Sequence, residues 1–274
     1  MEESFRFSFQ LFPELGALKQ IMINIAVASA RFIGLLLVMP VFKRTELGRA
    51  VLAAVGLGFA LPLMIALGPQ IDAMNTDADL FVILLMVKEV AVGALLGVFF
   101  GAPFWAIQAV GELVDGQRSI SQSGMTDPAT GGQASVLAVL LSFVAIVIFA
   151  VEGGIGLMVR TVYESYAIWP LDLILPTIGA AALAEVAAVI GRVLLFGIVV
   201  ASPLIGIFLL SDAATMGIAR MSGRIEVSML LPLVKNVLFV VFALVYLEFL
   251  VGYLRDGVRE VGLVSRALEP FVGR

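Results

Sequence analysis

Six runs of apolar residues constrain this chain more than any other feature. They lie at about Ile21–Phe42, Val51–Leu67, Leu80–Val110, Ser135–Val151, Ile178–Leu210 and Leu230–Tyr253. Crossing a hydrocarbon core about 30 Å thick takes roughly 20 mostly apolar residues as a helix, and these runs supply that length repeatedly. Hydrophobic residues make up 61% of the chain and charged ones 14%, with mean hydropathy +1.09. A soluble domain averages about 45–50% apolar and about 25% charged. The expected fold class is therefore all-α: a multi-pass membrane protein of broken and kinked helices, retained in the membrane from its first run onward because Met1–Arg6 lacks the basic start of a signal peptide.

Composition also removes whole classes of chemistry. The chain has no cysteine and no histidine, which excludes disulfides, thiolate metal sites, cysteine nucleophiles, Ser-His-Asp triads and HExxH zinc sites. A net charge of −4 without a basic block offers no footprint for nucleic acid. No catalytic residue, metal or cofactor is expected.

The run lengths predict irregular helices. The third is too long for one perpendicular span, and Pro103 inside it is where a helix would kink or restart; the fifth is too long as well and contains Pro203; Gly68-Pro69 is expected to stop the second. Between the third and fourth runs lies a polar segment rich in Gly and Ser, in which Asp127-Pro128 followed by Gly131-Gly132 predicts a turn that reverses the chain. Lys43, Arg44, Arg49, Arg220 and Arg224 favour one membrane face, whereas Arg255, Arg259 and Arg266 argue for the other, so loop charge does not set the orientation.

Three constellations stand out. Gly93, Gly97 and Gly101 recur every four residues and predict a small-residue groove on which another backbone packs closely, against the plainer explanation that membrane helices are simply rich in glycine. Arg31, Lys88, Glu89, Glu185, Arg192, Lys235 and Glu248 interrupt apolar runs, and a charge at that depth must face protein or water. Without histidine, and with the charges scattered, structural pairing ranks ahead of a proton or ion relay. Lys88 and Glu89 are adjacent, which predicts a separate partner for each; Glu185 and Arg192, seven apart, share a face. Glu112, Asp115 and Arg118 form a charged strip if the third helix continues that far.

The stretch Phe104-Trp105-Ala106, then Gly111-Glu112-Leu113-Val114-Asp115-Gly116-Gln117-Arg118, then Asp127-Pro128-Ala129-Thr130-Gly131-Gly132-Gln133-Ala134-Ser135 resembles the signature of the SctT/FliR family of type III secretion export-apparatus proteins. Glu152-Gly153-Gly154 and Tyr163-Glu164-Ser165-Tyr166-Ala167-Ile168-Trp169-Pro170 are similar to the injectisome branch, where Ser-Tyr-x-x-Trp-Pro is typical; Ser119 stands where the family pattern has glycine. The resemblance covers essentially the whole chain. It implies one integral domain, residues 1–274, with about 1–175 like the SctR/FliP type and about 176–274 a helical hairpin like the SctS/FliQ type.

It further implies a structural and gating subunit in the bacterial inner membrane, packed in a helical hetero-oligomeric export gate. The implied partners are SctR/FliP-like and SctS/FliQ-like membrane subunits, an SctU/FlhB-like switch protein, membrane lipid and unfolded proteins in transit, in a system associated with virulence. The polar segment would be the plug, carried by Gly116, Gln117, Arg118, Ser119, Ile120, Met125, Asp127, Pro128, Gly131 and Gly132. The alternatives are a flagellar FliR-type subunit and, from a different class, a stand-alone secondary transporter, which broken helices and intramembrane charges also suit but for which no internal repeat is seen.

Overall fold

A computed structural model describes residues 13–44, 48–74, 79–118, 135–173, 180–222, 231–246, 248–249, 251–253 and 255, and every element among them is a helix. In chain order these are α1 (Pro13–Val38), α2 (Pro40–Arg44), α3 (Arg49–Ala73), α4 (Asp79–Gln117), α5 (Val136–Val151), α6 (Gly154–Ile168), α7 (Ala180–Ser222) and α8 (Leu231–Tyr246). Among the described residues four helices are long and apolar enough to cross a membrane, and the bent pair α5–α6 makes a fifth span if it is counted as one. The protein is an all-α, multi-pass membrane protein. Backbone N–H and C=O groups have no water to turn to in lipid, and a helix satisfies them within one segment.

The prolines behave differently from expectation. Pro69 does not stop the second helix, because α3 runs through both Pro62 and Pro69 to Ala73. Pro103 does not divide the third run, since α4 is one helix of 39 residues, and α7 carries Pro203 through 43 residues. In water a proline inside a helix costs about 3 kcal/mol, through a lost hydrogen bond and a clash with the carbonyl four residues back. In an apolar surrounding that penalty is offset when a nearby hydroxyl takes over the freed carbonyl. At Pro203 the repair is visible: Ser202 Oγ donates to the Val199 carbonyl at 3.0 Å, and Tyr246 Oη donates to the adjacent Val200 carbonyl at 3.0 Å.

Glycine, not proline, makes the sharpest break. Gly153 has φ of +80°, a conformation that costs a residue with a Cβ far more, and α6 leaves α5 at a bend of 69°. Ser135 opens α5 as its cap, its Oγ accepting from the Ala138 N–H at 2.9 Å.

The chain divides into two compact units, one of Met1–Val98 with Val159–Thr177 and one of Phe99–Met158 with Ile178–Arg274. In the first, Val27, Ala28, Phe32, Leu35, Met39 and Ile71 are fully buried. The Phe32 ring meets Tyr163 edge-on at 5.8 Å and Phe59 at 5.9 Å. In the second, Val114, Ala138, Ala145 and Phe208 are buried, and Phe104 meets Phe149 edge-on at 5.5 Å. Large apolar side chains such as Ile65, Leu84, Leu210 and Leu244 are exposed, as suits surfaces that face lipid or other membrane helices.

Within the first unit α1 and α4 cross at near-contact distance. A Cβ on Gly93 would fall on the Arg31 carbonyl, one on Gly34 would fall on the Val90 carbonyl, and one on Gly97 would lie 2.7 Å from the Leu35 carbonyl. The face that Gly93 and Gly97 offer is therefore occupied by α1 of the same chain; Gly101 is buried further along α4. Gly93→Ala should cost about 1–3 kcal/mol by wedging the helices apart. Gly58, with open space where its Cβ would go, is the control, and Gly58→Ala should gain about 0.5–1 kcal/mol. Unfolding of the solubilised chain in rising SDS measures both, and equal midpoints would remove the close-packing argument.

Candidate functional site

Two clusters of charged side chains lie inside the apolar elements, one in each unit. In the first unit Arg31 of α1 and Glu89 of α4 both have side chains with no exposed surface. Arg31 Nε donates to Glu89 Oε2 at 2.7 Å and its Nη2 to Oε1 at 3.1 Å, the two-pronged geometry in which a guanidinium binds a carboxylate most strongly. Nη1 donates to Ser165 Oγ at 2.7 Å and Nη2 also to the Trp169 carbonyl at 2.9 Å. The guanidinium carbon stands 3.6 Å from the centre of the Tyr166 ring. Ser165 passes its own proton to the Val162 carbonyl at 2.6 Å.

The Trp169-Pro170 stop explains why this pocket can hold cations. Proline cannot continue α6, so carbonyls near its end lack intrahelical donors and carry the negative end of the helix dipole. Arg31 takes the Trp169 carbonyl, and Lys88 Nζ donates to the Pro170 and Leu171 carbonyls at 2.8 and 3.0 Å. Lys88 also pairs with Glu89 at 2.9 Å. Each neighbour thus has a partner of its own, Arg31 for Glu89 and the two carbonyls for Lys88, and a lysine stem long enough to reach past its own helix face also brings the ammonium back to the adjacent carboxylate.

The second cluster lies where α4 ends and α5 begins. The charged strip continues on α4 as expected, and its members part company. Glu112 is exposed and accepts from Gln108 at 2.9 Å. Asp115 is buried: its Oδ1 accepts from Arg118 at 3.1 Å and its Oδ2 accepts the Leu137 N–H at 2.9 Å. Asp115 and Ser135 thereby satisfy two of the free N–H groups that start α5. A Cβ on Gly111 would collide with the backbone of Ala138, so glycine there admits α5 to this distance.

From α8, Asn236 Oδ1 accepts from Arg118 Nε at 3.0 Å, and the Phe239 ring lies 3.7 Å below the guanidinium. Buried Lys235 donates to the Gln117 carbonyl at 2.8 Å, where α4 ends. It also pairs with Asp212 of α7 at 2.8 Å, off the hydrogen-bond direction.

Of the expected residues, the structure brings Lys88 and Glu89 together with Arg31, and Lys235 together with Gln117; Gly116 is exposed beside them. Arg192 and Glu248, expected among the buried charges, are exposed on this chain. A charge in an apolar helix need not be buried, because a side chain at the helix surface can carry its charged end to polar surroundings. The Glu185 side chain and Ser119, Ile120, Met125, Asp127, Pro128, Gly131 and Gly132 lie outside the described residues. Sequence reasoning missed Ser165, Asp212, Asn236 and Phe239 as partners. The usable signal was that a polar residue within an apolar run must meet another. Among the described residues, no three carboxylates gather where a metal ion would sit.

Residues 22–261 match the family model of bacterial export proteins, family 1. The Yop proteins translocation protein T of Yersinia pestis is 25% identical over 218 residues, 79% of this chain and 82% of that protein. The surface presentation of antigens protein SpaR of Salmonella typhimurium is 30% identical over 192 residues, 68% of this chain and 71% of that one. The flagellar biosynthetic protein FliR of Caulobacter vibrioides is 25% identical over 184 residues, 65% and 72% of the two chains.

Arg31→Leu strands the Glu89 carboxylate in a buried site and should destabilise the chain by about 3–5 kcal/mol, the cost of breaking a buried pair from one side. The double variant Arg31→Leu with Glu89→Leu leaves no orphan charge and should recover most of that loss. Folded fractions in detergent, compared across the single and double variants, check this. A double variant as unstable as the single one would show that the pair's partners, not its charge balance, hold the unit.

Proposed function

This chain belongs to the bacterial export proteins, family 1, and from that premise we propose that it is a structural and gating subunit of a type III secretion export apparatus. The observation that carries the reading is the family match from residue 22 to 261, together with likeness to relatives named for Yop translocation and surface presentation of antigens over most of their lengths. The Ser-Tyr-x-x-Trp-Pro ending supports the injectisome branch over the flagellar one. These likenesses also favour export over a stand-alone transporter.

In this reading the protein lies in the bacterial inner membrane beside SctR/FliP-like and SctS/FliQ-like subunits and an SctU/FlhB-like switch protein. About 1–175 and 176–274 correspond to the two kinds of small partner. The exposed apolar faces support a chain that is finished by its neighbours. The channel is lined and closed without covalent chemistry. The segment from about Gly116 to Gly132 is the plug: it is polar, small in side chain, and carries charge only at Arg118 and Asp127, so it suits an aqueous lumen. The charged cluster at the end of α4, where this segment begins in the sequence, supports a segment that is held at its root.

Shortening the segment between Ser119 and Ala134 should let small ions or metabolites leak across the membrane while the complex still assembles. Permeability of cells expressing the shortened chain with its partner subunits, beside the intact one, measures this. An assembled complex that stays tight would reduce the segment to a connecting turn.

A further inference from the structure

We propose that the Ser-Tyr-x-x-Trp-Pro stretch, residues 165–170, is a clamp for two cations of its own chain, Arg31 and Lys88, and that gripping them docks the returning segment Val159–Thr177 on α1 and α4. The first unit is discontinuous in sequence: Met1–Val98 is completed by Val159–Thr177 only after residues 99–158, which belong to the second unit. Without the returning segment the charge where α1 crosses α4 does not balance. Arg31 and Lys88 bring two positive charges and Glu89 one negative, all on buried side chains, and a buried cation short of acceptors is strongly destabilising. The end of α6 supplies the missing acceptors as carbonyl oxygens at the negative end of a helix dipole.

Each position that defines the stretch has its own task. Ser165 commits its proton to the Val162 carbonyl and so presents a lone pair to Arg31 Nη1. Tyr166 lays its ring on the guanidinium, and its hydroxyl makes no hydrogen bond, so the ring is the part in use. Trp169 gives its carbonyl to Arg31 Nη2, and its indole Nε1 donates to the Leu173 carbonyl at 3.0 Å, which folds the chain back just past the helix. Pro170 cannot continue the helix, and the Pro170 and Leu171 carbonyls take the Lys88 ammonium instead of helical N–H donors. Ala167, at an unspecified position, is exposed.

Apolar packing is the rival explanation for docking, since Val162 is fully buried and Tyr163 meets Phe32 edge-on. The two accounts make different demands. Packing tolerates any side chain of similar shape, whereas the clamp requires an oxygen at 165 and an aromatic face at 166. Ser165 and Tyr166 are in this sense positioning residues for the end of α6.

The chain has no cysteine, so Leu171→Cys places a single thiol at a buried position just past the stretch and keeps the backbone carbonyl that Lys88 uses. Ser211→Cys, buried in the second unit, is the control. In the whole chain in native membranes, N-ethylmaleimide should label position 171 about tenfold or more faster with Ser165→Ala, Tyr166→Leu or Lys88→Met, the factor that accompanies loss of one hydrogen bond to a charged group or of a desolvated cation–π contact. Tyr166→Phe keeps the ring and should label as slowly as the parent, and labelling at position 211 should not change. Unchanged rates at 171 in both Ser165→Ala and Tyr166→Leu would leave docking to apolar packing and overturn the clamp. So would Tyr166→Phe labelling as fast as Tyr166→Leu, or an equal rise at 211, which is general loosening. If Lys88→Met yields no folded chain, the Ser165 and Tyr166 variants decide.

Discussion

An arginine with no exposed surface, inside an apolar helix, sets the terms for the first unit. A buried guanidinium is stable only when paired and hydrogen-bonded, so the unit must either bring it a counter-charge and acceptors or not fold. Everything near it answers that demand. Glu89 supplies the charge, Ser165 and the Trp169 carbonyl take further N–H groups, and Tyr166 covers a face. Such side chains reach one another only if the backbones that bear them come close, and glycines at 34, 93 and 97 permit that approach. The Trp169-Pro170 stop belongs to the same solution, because it leaves acceptors where the two cations arrive.

The same economy governs the backbone. Wherever the apolar surrounding denies a carbonyl its water, a neighbouring side chain stands in. Ser202 and Tyr246 do so around Pro203, and Tyr163 Oη reaches the Phe59 carbonyl at 2.7 Å, beside the Gly58 carbonyl whose donor Pro62 removes. Near Pro203 and Pro62 the proline marks a place where another element is tied on by a side-chain hydroxyl.

The class of fold was legible because the six runs state a length and a solvent, and little else satisfies both. Helix ends were less so. Proline rules come from chains in water, and the residues that overrule them at Pro203, Ser202 next door and Tyr246 on another helix, are local in one case and distant in the other. Buried charges were legible as a need and not as a pairing: Arg31 and Glu89 are 58 residues apart, and nothing in their spacing joins them. Asp115 and Arg118 were legible as a pair because three residues in a helix make one face. Asn236 and Phe239 were not, since their relation to Arg118 exists only once α8 lies against the end of α4.

The two charge clusters differ in how completely they are sealed from water. The Arg31–Glu89 pair is sealed, with 0% exposure on both side chains, and its hydrogen-bonding groups are nearly all engaged within the chain. Removing either partner leaves a charge with nowhere to go, so the cluster has one arrangement and holds it. The cluster at the end of α4 is partly open to water. Asp212 is 24% exposed, Arg118 rests on Asp115, an amide oxygen and a ring, and Lys235 is shared between a carboxylate and a carbonyl. A structure meant only to be rigid would have sealed this site like the other. Two alternative homes for each cation, with water at hand, make an element that can be held and released at modest cost.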